Sequence, residues 1–168
     1  MCRCLLISLA ACAGLALSTA ALAQQPAAAP PPASYGSPGV TLEQAKKAVD
    51  AAEAEANKNG WSMAIAVVTN GGWLVHFSRM ADTQFASIEV AQHKARAAAI
   101  YRRPTKSFAD RLAAGGAGLA VLMLDGAIAV EGGIPLVSGG KVIGAIGCSG
   151  GSADQDGQAC KAGADTIK

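Results

Sequence analysis

Two histidines are available for chemistry in this sequence, His76 and His93. His93 lies in SIEVAQHKARAAA, with Glu89 four residues before it and Arg96 three after. At helical spacing these three side chains share one face. An imidazole with a carboxylate one turn away suits an axial metal ligand or an acid/base group, with Glu89 orienting the ring. Glu89, His93 and Lys94 are accordingly the catalytic candidates of a small enzyme. A solvated helix face carries the same residues equally well. His76 sits in WLVHFSRM and alternates with Leu74 and Ser78, opposite Val75 and Phe77. It either lines a pocket or caps an exposed sheet face. Arg79, Lys94, Arg96, Arg102, Arg103 and Lys106 form a basic set around the same region. Lys94 is one turn from Val90, beside the apolar face, where a cation suits a carboxylated ligand.

The rest of the catalytic inventory is sparse. A zinc site needs three or four converging ligands, and no such spacing occurs. No Ser or Cys nucleophile pairs with a His and an acid at a recognisable spacing. IGAIGCSGGSADQDGQAC, Ile143 to Cys160, offers a strand, a glycine turn and a helix start. It lacks the Lys and Ser/Thr of a phosphate-binding loop. Ser152 and Gln155 stand in capping-box positions, and Asp154 and Asp156 bring negative charge to the helix start. A capped turn is the expectation. Cys148 and Cys160 are twelve residues apart, and two readings stay open: a disulfide, or two small buried hydrophobes. Glu131-Gly132-Gly133 points to a backbone of positive φ or close approach, at a pocket wall or a subunit contact.

These residues need elements to hold them. Thr41 and Gln44 form a capping box ahead of an apolar helical repeat that closes at Asn59-Gly60. WSMAIAVVT is a buried strand, Asn70-Gly71 a hairpin turn, and WLVHFSRM the returning strand. Ser87 to Tyr101 is an alanine-rich helix that ends before Pro104. A shorter helix runs from Pro104-Thr105 through Leu112. Gly115, Gly116 and Gly118 make a loop, and LAVLML looks like a strand on periodicity alone but is broken by Asp125-Gly126. AIAV (127–130) and IPLV (134–137) are two short strands around a turn. KVIGAIGCS is the last strand, and a helix follows from Ala153 to about Ile167. The order is α-β-β-α-α-β-β-β-α, an α/β (α+β) fold with a central antiparallel sheet and packed helices.

The 168 residues do not all belong to that fold. Arg3, an apolar run from Leu5 to Leu17 and Ala21-Leu22-Ala23 read as a secretory signal, residues 1–23, implying a periplasmic or secreted protein. The alternative is a lipoprotein signal with lipidation at Cys12. Residues 24–39, rich in Pro and Ala, read as a flexible linker. The folded domain is expected over 40–168, long enough for one core. The apolar run is too short for a transmembrane segment. Without the signal, 13 basic face 12 acidic side chains. That balance argues against a nucleic-acid partner.

Several segments match a known family: Asn59-Gly60-Trp61, FSRM at Phe77–Met80 followed by Asp82-Thr83-Gln84, SIEVAQHKARAAA, RRPTK from Arg102, EGGIP from Glu131, GKVIGAIGCSGG from Gly140 and QDGQACKAG from Gln155. From Val40 to the end the chain resembles the GlcG/HbpS-like haem-binding family, related to the C-terminal domain of PduO-type proteins. The resemblance implies a profilin-like fold, a homo-oligomer, and haem or a similar small ligand as cofactor. The chain departs from the family at Ala81 (usually aspartate), Cys148 (usually valine) and Ala97 (commonly threonine). No C-x-x-C-H occurs, so attachment would be non-covalent. Haem then needs an axial ligand, an apolar slot and cations for its propionates. His93 is the expected iron ligand, ahead of His76, with Arg79, Lys94 and Arg96 as cationic candidates. Seven aromatic residues are few for such a slot. The other two readings are the small enzyme, acting on an organic acid or a redox substrate, and an accessory oligomer without ligand.

Overall fold

The computed structural model describes Ser34–Tyr35 and residues 39–168. The expected signal, the Cys12 alternative and most of the expected linker lie outside the described residues.

Helix α1 (Leu42–Lys58) opens with the anticipated capping box: the Thr41 hydroxyl accepts from Gln44 N and the Gln44 side chain accepts from Thr41 N. Gly60, at φ 71°, follows its C-cap Asn59. Strands β2 (Ala64–Thr69) and β3 (Leu74–Arg79) form the hairpin across Asn70-Gly71. Helices α2 (Ala86–Tyr101) and α3 (Lys106–Ala113) follow, then a 3-10 helix (Gly116–Met123). Strands β4 (Gly133–Ser138) and β5 (Lys141–Ser149) form a second hairpin, and α4 (Ala153–Ala164) closes the domain. The antiparallel order is β4-β5-β2-β3. This is the expected mixed fold with a central antiparallel sheet.

Period-two alternation divides the core into two layers. Ile65, Val67, Ile146 and Cys148 pack with α1 and α4, including Ala45, Val49, Ala52 and Ala159. Ala64, Ala66, Val68 and Ala145 pack with Ala91, Ala95, Ala98 and Ala99 of α2. The second layer is built almost wholly of small side chains, so α2 lies close to the sheet. Gly147 shows how close: a Cβ there would stand 3.0 Å from the Cα of Ala95. The first layer holds the bulkier residues. Truncating fully buried Ile146 or Leu136 to Ala would cost about 2–5 kcal/mol.

Three local expectations change. AIAV is not a strand: residues 127–130 pair with no strand among the described residues. This four-residue run, between glycine turns, instead passes α2, where Ala127 and Ile128 lie beside His93. The strand-like LAVLML belongs to the 3-10 helix and the turn after it. Gly115 and Gly116 have positive φ, and Gly118 sits directly on the Arg111 carbonyl, which folds this segment back on α3. Within the expected linker, Ser34–Tyr35 forms a short strand, β1, parallel to Lys141–Val142. Strand β2 pairs with β5 only as far as Gly144. The edge beyond is open, and backbone pairing there needs no particular side chains.

Candidate functional site

Helix α2 buries its alanine face on the sheet and leaves Glu89, His93 and Arg96 exposed along one stripe. The β2–β3 hairpin bends toward that stripe. Gly72 makes this approach feasible in two ways. Its φ is 84°, and a Cβ there would lie 2.9 Å from Cγ of Arg96. The chain leaving the turn presents Trp73 and Leu74, exposed by 69% and 51%. The Arg96 guanidinium lies over the Trp73 ring, 5.5 Å from its centroid, a cation–π contact.

Between the hairpin and the helix lies a hollow of about 400 Å³, walled by Val68, Trp73, Leu74, Glu89, Gln92 and His93, with Arg96 at its edge. On the other side of His93 and Arg96 is a second hollow of about 250 Å³, completed by Gly126, Ala127 and Ile128. His93 and Arg96 thus form a shared wall between two openings. One offers an aromatic and an aliphatic surface, the other an aliphatic one. Gln92 is tied back to its own helix, donating to the Ile88 carbonyl at 3.1 Å. Glu89 lines the same hollow as His93, but among the described residues no hydrogen bond joins the two. The expected bracing of the ring by Glu89 is therefore not formed in this structure.

The other candidate residues are placed elsewhere. Lys94 points into the protein. Its ammonium is 2.6 Å from Asp156 Oδ2 and 3.2 Å from the Cys148 carbonyl, with the side chain 1% exposed. It cannot meet a ligand at the α2 surface, nor serve there as an acid or base. Position 94 follows the exposed His93 by one residue, a rotation of about 100° that turns it inward. His76 pairs with Val67 across the hairpin, so it belongs to the sheet face covered by α1 and α4, away from His93. A bulge between Val67 and Val68 breaks the simple alternation on β3, and Val75 joins the core on that same face. Arg79 lies over Phe85, 4.9 Å from its centroid, and donates to the Thr83 carbonyl at 2.6 Å.

The remaining basic residues also have local roles. Arg102 is the left-handed C-cap of α2. Arg103 lies over Phe108 and donates to the Tyr101 carbonyl. Lys106 is 2.7 Å from Asp110 and 3.9 Å from Glu131; its hydrogen bond to Asp110 raises its pKa. Of the five residues proposed for cofactor binding, only His93 and Arg96 come together. Trp73, Leu74, Gln92 and Gly126–Ile128 were missed. An exposed Trp immediately after a hairpin turn was the signal for the first pair.

The glycine-rich stretch after β5 is a capped turn, as its residues indicated. Ser152 and Gln155 form the capping box of α4. Asp156 Oδ1 accepts from Gly151 N at 2.9 Å, so the chain's own carboxylate occupies the helix start. Burial pushes the Asp156 carboxyl up, against the pull of Lys94 and of the Gly150 and Gly151 N–H groups. Gly132, at φ 121°, passes this pair so closely that a Cβ would stand 2.9 Å from the Lys94 ammonium. That close approach explains the Glu131-Gly132-Gly133 motif. Cys148 and Cys160 form a disulfide between β5 and α4, with Cα atoms 5.6 Å apart.

A family model described as "Haem degrading protein HbpS-like" matches residues 40–165. The chain is 39% identical to protein GlcG of Escherichia coli K12 over 110 residues, covering 66% of this chain and 81% of GlcG. It is similar to the crystal structure of a doubly substituted HbpS of Streptomyces reticuli, with TM-score 0.72 and 34% identity, covering 85% of this chain and 99% of that one. A PduOC:haem complex shares the fold at TM-score 0.70 and 24% identity, covering 77% of this chain and 96% of that one.

Proposed function

Since the chain belongs to the HbpS-like family, we propose that the paired hollows around His93 and Arg96 bind haem, or a similar planar carboxylated ligand, without a covalent link. One observation carries this reading: an exposed imidazole and an exposed guanidinium stand together between two openings with apolar walls. The donor set fits the ligand. His93 supplies one nitrogen for iron, Arg96 one cation for a propionate, and Trp73, Leu74 and Ile128 apolar contact. Haem, when bound, would supply the redox chemistry; the chain's own residues bind and orient it. The family's description as haem-degrading supports the ligand class. The alternative of an enzyme built on Glu89, His93 and Lys94 loses one of its three groups to the buried pair with Asp156. Haemin titration followed by absorbance tests the proposal, through a saturating Soret shift at one haem per chain.

We also propose that the protein is exported. The Cys148–Cys160 disulfide supports this, because such bonds persist in oxidising compartments. Mass spectrometry of the mature protein should find Gln24 at its N-terminus. A lipidated Cys12 would replace this reading with the lipoprotein one.

A further inference from the structure

A third hollow, of about 470 Å³, lies between the C-terminal half of α1 and the end of β3. Two of the segments that carry the family resemblance, Asn59-Gly60-Trp61 and Phe77–Met80, converge on it, and the haem reading uses neither. Glu53 and Asn57, one turn apart on α1, line one side. Trp61 and Ser62 line another, and Ser78 and Asp82 a third. Trp61 is half-buried and packs on the core, so its indole is held in place while part of it stays open. Ser78 donates a hydrogen bond to Glu53 and so ties that carboxylate to β3. Asp82 holds a left-handed backbone, φ 59°, that few residues with a Cβ adopt.

The hydrogen-bonding inventory indicates a ligand class. Among the described residues, the Asn57 amide, the Trp61 indole N–H, the Ser62 hydroxyl and the Asp82 carboxylate have no partner within the protein. That set mixes donors with acceptors. Arg79 also lines the hollow, but its guanidinium is engaged by the Phe85 ring and the Thr83 carbonyl, and an anion would face two carboxylates, Glu53 and Asp82. A cation could donate to the carboxylates, the amide oxygen and the hydroxyl, but it leaves the donor-only indole N–H unmatched. Hydroxyl groups both donate and accept, and a ring of them leaves a C–H face to lie on Trp61. We propose that this hollow is a second binding site, for a neutral polyhydroxylated molecule of monosaccharide size.

The test is a ¹H–¹⁵N NMR titration of the full chain with glucose, galactose and mannitol. The two indole N–H resonances make an internal comparison, since Trp61 lines this hollow and Trp73 the other. At least one probe should move Trp61 and leave Trp73 in place. Asn57→Ala and Asp82→Gly, both at exposed positions, should each weaken that binding about tenfold by removing a ligand hydrogen bond, glycine keeping the left-handed backbone at 82. Haemin titration of the same variants should be unchanged, which separates this site from the haem proposal. The idea is overturned if no probe moves Trp61 at about 100 mM, well beyond a millimolar Kd. It is equally overturned if the movement survives both substitutions.

Discussion

Lys94 and Asp156 meet at 2.6 Å inside the protein, tying α2 to α4 from opposite faces of the sheet. Two buried charges gain little over an apolar pair, because both lose their hydration. Removing only one leaves the other stranded. Asp156→Ala should therefore destabilise the domain by about 3–5 kcal/mol, measured by urea unfolding. The double variant Lys94→Met/Asp156→Leu should lose far less than the two single changes together. A cost below about 1 kcal/mol for Asp156→Ala would show that the pair does not hold the layers.

That pair also shows where sequence reading stops. Helical spacing placed Glu89, His93 and Arg96 on one face, and the structure agrees. Capping boxes at Thr41 and Ser152 were legible because their contacts span three residues. The inward turn of Lys94 is not legible, because its partner is 62 residues away and no local pattern announces that contact. His76 was ambiguous for a related reason: the bulge at Val67/Val68 alters which side chains share a face. The strand expected at AIAV failed because alternation shows what could pair, not whether a partner edge lies alongside. Trp73 and Ile128 entered the site only through tertiary packing of the hairpin and the 127–130 segment on α2.

The disulfide should contribute measurably to stability. It closes a short loop, with a sequence separation of 12, and chain-entropy arguments assign such a loop about 3 kcal/mol. Unfolding with and without reductant should reveal that difference. The Cys148→Ala/Cys160→Ala double variant should unfold at the reduced protein's midpoint, whatever the reductant. An unchanged midpoint on complete reduction would remove the bond from the stability account.

Self-association is also expected. Leu122 and Met123 on the 3-10 helix are exposed by 67% and 86%, an adjoining apolar pair of the kind that closed symmetry covers. Light scattering at micromolar concentration should give a mass of at least two chains. Met123→Glu should shift it toward one. A monomer mass for the unaltered chain would contradict this.

Haem binding at His93 is tested by titrating haemin into the unaltered chain, His93→Ala and His76→Ala, following the Soret band. His93 stands at the shared wall of the two hollows, while His76 lies on the far face of the sheet. Replacing His93 should change the Soret spectrum and weaken affinity about tenfold or more, equivalent to about 1.4 kcal/mol. Replacing His76 should leave both nearly unchanged. Identical spectra and affinities for the unaltered chain and His93→Ala would remove His93 from haem binding.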